Sequence, residues 1–182
     1  LGDSSVSGKA GKDGKWSVKL PKQSAGGPHT MTVSGSNTVE LSDILIGEIW
    51  VCSGQSNMAW RVEQSSNAQT EIKAAKFPRI RLFHVPRNAT GVPQDDVEAQ
   101  WKVCSPETIP TFSAVSYFFG RHLHRELDVP IGLIATSWGG TRIEPWTPPE
   151  GFAQVEAVKE MGESILRRRK EVAAASEAAK KA

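Results

Sequence analysis

The chain has 182 residues, 38% of them hydrophobic, which suffices for one domain with a buried core, or one domain and a fragment of another. Its 22 basic and 20 acidic side chains leave a formal charge of +2, so no strong electrostatic pull toward nucleic acid or an anionic membrane surface is expected. No apolar run approaches the roughly 20 residues of a membrane-spanning helix, so membrane insertion is not expected either.

The first residues, LGDSSVSGKAGKDGKW, lack the basic start and apolar stretch of a signal peptide. The chain opens on Leu1 and stops within a helical pattern, so both ends are expected to be cut. Residues 14 to 42 show short alternating runs (Trp16, Val18, Leu20; Met31, Val33; Val39, Leu41) punctuated by Gly, Pro, Ser and Asn. That rhythm predicts antiparallel β-structure, with residues 1–42 as the end of a β-rich, sandwich-like segment.

From Asp43 the pattern changes. The run ILIGEIWV is nearly continuous apolar sequence, as expected for a strand covered on both faces. After it, NAQTEIKAAKF predicts a helix, RIRLFHV a strand, SAVSYFFGRHLHRELD a helix and IGLIATSW a strand. Strands alternating with helices predict an α/β domain with a mainly parallel sheet over residues 43–151. From Phe152, the positions Val155, Val158, Met161, Ile165, Leu166 and Val172 repeat at helical spacing, predicting an amphipathic extension or insertion over 152–182.

Cys52 and Cys104 fit either one disulfide or two buried thiols, and their spacing does not suggest metal. Asn88-Ala89-Thr90 satisfies the glycosylation pattern, which matters only in a secretory eukaryotic host.

The stretch VCSGQSNMAW, residues 51–60, places Ser56 just after an apolar strand. A nucleophilic serine requires an exposed hydroxyl at a sharp strand-to-helix turn, with backbone N–H groups aimed where negative charge develops. Ser53 and Gly54 supply the small residues for that turn. Met58 stands where the nucleophile elbow of α/β-hydrolases has its second glycine, so that elbow is disfavoured. Taken alone, Ser56 reads first as a turn former or helix cap, and only then as a nucleophile. A second turn, Trp138-Gly139-Gly140-Thr141, also follows a strand, which puts both on the carboxyl edge of the sheet, where α/β folds bind ligands.

GQSNM after one strand and SWGGTRIEPW after another, with GKWSVKLP, FPRIRLFHVPR, WKVCSPET and FSAVSYFFGRHLH between or before them, resemble the sialate O-acetylesterase family of carbohydrate esterases. The similarity covers most of residues 14–152 and implies a three-layer SGNH-hydrolase-like domain. It implies that Ser56 is the nucleophile, attacking the acetyl carbonyl of an O-acetylated carbohydrate to form an acetyl-enzyme that water hydrolyses. It also implies an extracytoplasmic setting: secreted, periplasmic or lysosomal. No cofactor or metal is expected.

The Ser56 N–H is the natural first oxyanion donor, and an N–H of Gly139 or Gly140 the candidate second, although the glycine pair reads equally as a packing turn. Gln55 and Asn57 either orient the serine loop or touch substrate. Arg142 and Glu144 either pair to fix their loop or meet the sugar. Trp60, Trp138 and Trp146 lie beside the motifs; core packing is the default reading for each, and a face on which a sugar stacks the alternative. Trp16, Trp50 and Trp101 read as structural.

The same resemblance predicts an Asp-x-x-His and a Gln-Gly-Glu segment, and neither occurs in this sequence. The residues three before His29, His84, His122 and His124 are Gly26, Arg81, Phe119 and Arg121. His122 and His124 fall in a helical run and read as solvated or satisfied; His84 ends a strand without a carboxylate partner in sight. The acid–base pair is therefore expected beyond residue 182. Two rivals stand beside the sialate esterase reading: an esterase for acetylated xylan or other plant glycans, and an inactive sugar-binding module.

Overall fold

The computed structural model of the chain describes residues 1–2, 4–90 and 93–181. Its first regular element is a hairpin, β1 (Gly26–Ser34) and β2 (Thr38–Ile46), paired antiparallel with Met31 opposite Leu41 and Val33 opposite Val39. The Gly35 N–H donates to the Asn37 carbonyl at 2.7 Å and closes the turn between them. The alternation read from the sequence is therefore real here.

The alternation at Trp16, Val18 and Leu20 does not become a strand. Those residues lack a ladder partner among the described residues, and the chain before them folds on itself, the Gly11 N–H reaching the Lys15 carbonyl at 2.8 Å. Trp16 is 55% exposed, which corrects its structural reading. A period of two sets the faces of a strand, but a neighbouring backbone has to satisfy its amides.

The apolar run ILIGEIWV divides at Gly47. Ile44 to Ile46 complete β2, and Glu48–Cys52 form β3. A Cβ at position 47 would lie 2.0 Å from the Pro130 carbonyl oxygen, so the chain passes there only as glycine. β3 belongs to a four-stranded sheet ordered β3-β6-β4-β5, with β4 (Phe77–His84), β5 (Lys102–Cys104) and β6 (Ile131–Ala135). β3, β6 and β4 are parallel, and β5 runs antiparallel to β4. This is an α/β fold with a mixed, mainly parallel sheet.

β3 is not covered on both faces as expected: Ile49 and Val51, which share one face of the strand, are 64% and 67% exposed. It is also an edge strand, pairing only with β6 among the described residues.

One face of the sheet is packed by α3 (Ala114–Leu127). Ser113 caps it, its Oγ accepting the Ser116 N–H at 3.2 Å, and Asp128 ends it in the left-handed conformation at φ 49°. Gly120 lets the helix settle on Leu133, and Phe119 meets Trp50 edge-on with ring centroids 5.0 Å apart. Ile80, Leu82, Ile131, Leu133, Ile109, Val62 and Tyr117 are buried in this core. Each such aliphatic side chain contributes about 1.5–3 kcal/mol by leaving water. On the other face Trp101 packs on Gly132 and Phe83, and Arg81 pairs with Asp43 of β2 at 2.7 Å. Cys52 and Cys104 are separate buried thiols; burial pushes Cys104 up to about 12, Arg121 opposing the shift.

Three shorter helices complete the chain before the tail: α1 (Ser56–Ala59), α2 (Ala68–Ala74) and α4 (Pro149–Phe152). The helical pattern from Phe152 is interrupted by a 3-10 turn at Glu156–Val158 before α5 (Lys159–Lys181). Gly162 of α5 rests on Phe152, where an added Cβ would lie 2.8 Å from the Phe152 Cβ, while Val155, Met161, Ile165 and Val172 stay exposed.

Candidate active site

Where the chain leaves β3 it turns through Ser53-Gly54-Gln55 and enters α1 at Ser56. Gly54 has φ 150°, and a Cβ there would lie 2.7 Å from Met58 Cγ, so the turn closes tightly onto its own helix. Met58, in the place of an elbow glycine, thus packs against the turn. Ser56 is exposed. As the first residue of a helix, its N–H has no intrahelical acceptor and stays available to a ligand.

The second loop extends the parallel pairing past the strand ends. The Thr136 N–H donates to the Cys52 carbonyl and the Trp138 N–H to the Gly54 carbonyl, both at 3.0 Å. That ladder delivers Gly139 against the serine: a methyl group on Gly139 would sit 3.3 Å from Ser56 Cα, 3.5 Å from its Cβ and 3.7 Å from its amide nitrogen. Gly140 follows at φ 78°, turning the chain away. The Gln55 side-chain amide donates to the Thr141 carbonyl and ties the two loops together. Thr141 Oγ1 donates to the Trp138 carbonyl at 2.7 Å and accepts the Trp146 indole N–H at 2.8 Å. Motifs some eighty residues apart in sequence therefore form one rigid rim.

Of the other residues singled out from the sequence, Asn57 is exposed on α1, where its carbonyl accepts the Trp60 N–H at 3.3 Å. Glu144 starts a 3-10 turn, Glu144–Trp146, on the same loop as the glycine pair. No Arg142–Glu144 ion pair forms among the described residues; Thr141 and Trp146 hold that loop instead. Trp60 and Trp146 present partly exposed rings beside the rim, and the Trp60 indole N–H donates to the Gln64 carbonyl at 3.2 Å.

Sequence reasoning missed a cleft of about 270 Å³ next to this rim, bounded by Ala59, Arg61, His84, Arg87, Ser113 and Ser137 among others. Its residues come from four separate stretches with no shared motif, so spacing carried no signal of it. His84 stands at the end of β4 with its ring edge-on to Phe112. Partial burial, then the charges of Arg87, Arg61 and Lys102, lower its pKa below the ordinary 6.5. His124 Nδ1 lies 2.7 Å from the Val129 carbonyl and His122 is exposed on α3, as their helical placement suggests. No histidine pairs with a carboxylate among the described residues.

Residues 46–178 match the profile of the family described as carbohydrate esterase, sialic acid-specific acetylesterase. The chain belongs to this family. Among curated relatives, the sialate O-acetylesterase of Homo sapiens is 40% identical over 146 residues, covering 72% of this chain and 28% of that protein. The Mus musculus sialate O-acetylesterase is 36% identical over 146 residues, covering 72% of this chain and 27% of the relative. A crystal structure of a carbohydrate acetylesterase from Xanthomonas citri superposes with a TM-score of 0.73 at 36% identity, over 76% of this chain and 32% of that one. The matched region contains both loops of the rim, the cleft and most of α5.

Proposed function

We propose that this chain carries the nucleophile and oxyanion donors of a serine carbohydrate O-acetylesterase acting on acetylated sialic acids. The observation that carries the reading is the approach of Gly139 to an exposed Ser56 at the carboxyl end of β3, so close that a methyl on that glycine would lie 3.3 Å from Ser56 Cα. Family membership supports the reaction class, while the serine mechanism rests on this geometry.

Ser56 Oγ attacks the acetyl carbonyl carbon, and the carbonyl oxygen becomes the oxyanion. The Ser56 N–H and an N–H of Gly139 or Gly140 stabilise that charge; such donors are each worth about 10²–10³ in rate. The C–O bond to the sugar breaks, the sugar hydroxyl leaves with a proton, and water then hydrolyses the acetyl-serine to acetate. Gln55 acts by position, locking the serine loop to the glycine loop through Thr141.

The proton transfers require a base. Since the sequence contains no Asp-x-x-His and the chain spans 28% of the Homo sapiens relative, we assign the base to the remainder of the full-length protein. An extracytoplasmic location, where acetylated glycans are met, belongs to the same proposal.

The test is Ser56→Ala in the full-length protein, with acetate release measured on acetylated sialic acid and on acetylated xylan. The variant should lose activity at least about 10³-fold, the scale seen when a nucleophile is removed, with its unfolding midpoint unchanged. Residual activity near the parent's removes Ser56 from the mechanism, and faster turnover of xylan than of sialic acid removes the substrate assignment.

A further inference from the structure

We infer that the cleft beside Ser56 is a carboxylate subsite, in which Arg61 and Arg87 hold the acid group of a carboxylate-bearing sugar whose acetyl ester lies at the serine. The inference deepens the esterase reading and rests on it for the position of the ester.

The cleft joins the rim on both sides. Ala59 closes α1, one turn along from Ser56, and Ser137 precedes by two residues the glycine that touches Ser56. Strand register fixes the span. Cys52, at the end of β3, is level with Ala135 of β6, which is level with His84 of β4. Two strand spacings, about 10 Å, therefore separate the serine's strand from His84. One acidic monosaccharide with its side chain, or two linked sugars, bridges such a distance.

The lining is cationic. No Asp or Glu borders the cleft, whereas Arg61 and Arg87 both do. Arg61 is held firmly: its N–H donates to Gln64 Oε1 at 3.1 Å, and its backbone bridges to Ser113. Its guanidinium spends one Nη1 contact on Glu63 at 3.1 Å, which leaves most of its five donors free. Arg87 is exposed and makes no ion pair among the described residues. A guanidinium fork matches a carboxylate in two parallel hydrogen bonds, geometry that a neutral sugar hydroxyl does not reward.

His84 reports the same field, since Arg87, Arg61 and Lys102 each disfavour its protonation after burial has done so. The positive end of α3, capped by Ser113 on the cleft wall, adds to this field. Ser113 and Ser137 also border the cleft.

A sialic acid and a uronic acid share this chemistry, and the experiment separates them. In the full-length protein, kcat/KM is measured on O-acetylated sialic acid, O-acetylated glucuronate and O-acetylated xylose, before and after Arg87→Gln. The substitution should cut the preference for the acid over acetylated xylose by about tenfold or more, the worth of a charge-assisted bidentate pair, through KM. Whichever acid suffers that loss is the ligand; an unchanged preference for both overturns the proposal. Calorimetric binding of free sialic acid, glucuronate and their methyl esters to full-length Ser56→Ala gives a readout free of catalysis. Tighter binding of an acid than of its ester, abolished by Arg87→Gln, supports the subsite even if no acetyl ester is turned over, in which case the esterase reading alone fails. Equal binding of acids and esters overturns the subsite while leaving the esterase reading standing.

Discussion

Replacing Gly139 by alanine probes the contact on which the nucleophile assignment stands. The added methyl would sit 3.3 Å from Ser56 Cα and 3.5 Å from Ser56 Cβ, against an optimal carbon–carbon separation of about 3.5–4.0 Å. Relieving it moves the serine by a few tenths of an ångström. A 1 Å misplacement of a reacting group costs about 10²-fold, so kcat should fall roughly tenfold. Gly139 has no left-handed backbone to lose, so the fold should be indifferent to the change.

Gly140→Ala gives the converse. It meets nothing within 4 Å, yet its φ of 78° disfavours any side chain, at a cost of about 1–2 kcal/mol in stability. Steady-state acetate release and urea unfolding of the two full-length variants separate steric displacement from backbone strain. A Gly139→Ala enzyme with parental kcat and parental labelling of Ser56 by a fluorophosphonate would show that Gly139 does not fix the position of the serine.

Two further predictions concern the scaffold. Gly120→Ala places a methyl 2.6 Å from Leu133 Cδ1 and 3.0 Å from its Cγ, and overpacking of about 1–3 kcal/mol outweighs the gain of about 1 kcal/mol in helix propensity; the urea midpoint should drop with m unchanged, and a rise would contradict the packing of α3 on β6. His84, its pKa lowered by burial and then by Arg87, Arg61 and Lys102, binds fewer protons folded than unfolded as pH falls below 6.5. Stability should therefore decline from that pH downward, toward the folded value, and His84→Gln should flatten the decline in a pH series of unfolding midpoints; an unaltered slope would place the acid sensitivity elsewhere.

The parts legible from sequence are those set by local periodicity. The 113–128 pattern marks α3 because its buried positions, among them Ala114, Tyr117 and Gly120, recur at helical spacing. RIRLFHV and IGLIATSW mark β4 and β6 because Ile80, Leu82, Ile131 and Leu133 alternate toward α3. Ser56 was legible because a small-residue turn after an apolar strand has few structural meanings.

What escaped depends on partners distant in sequence. Nothing local in EIWV says that, among the described residues, only one side of β3 finds a strand, and nothing in Trp16, Val18 and Leu20 says that they find none there. β5 is only Lys102–Cys104, too short to show a period. Arg61 and Arg87 border one cleft only because β3 and β4 end on the same edge of the sheet. The Gln55 tie to Thr141 likewise spans the two motifs and shows in neither alone.

The central claim, that the Ser56 hydroxyl takes the acetyl group, is tested most directly by trapping the intermediate. Full-length protein mixed with acetylated sialic acid, quenched in acid and digested, should yield the peptide containing Gln55-Ser56-Asn57 with one added acetyl group on the serine. Acetate release at the parental rate with that peptide unmodified, or an acetyl group recovered on another residue, would contradict the account.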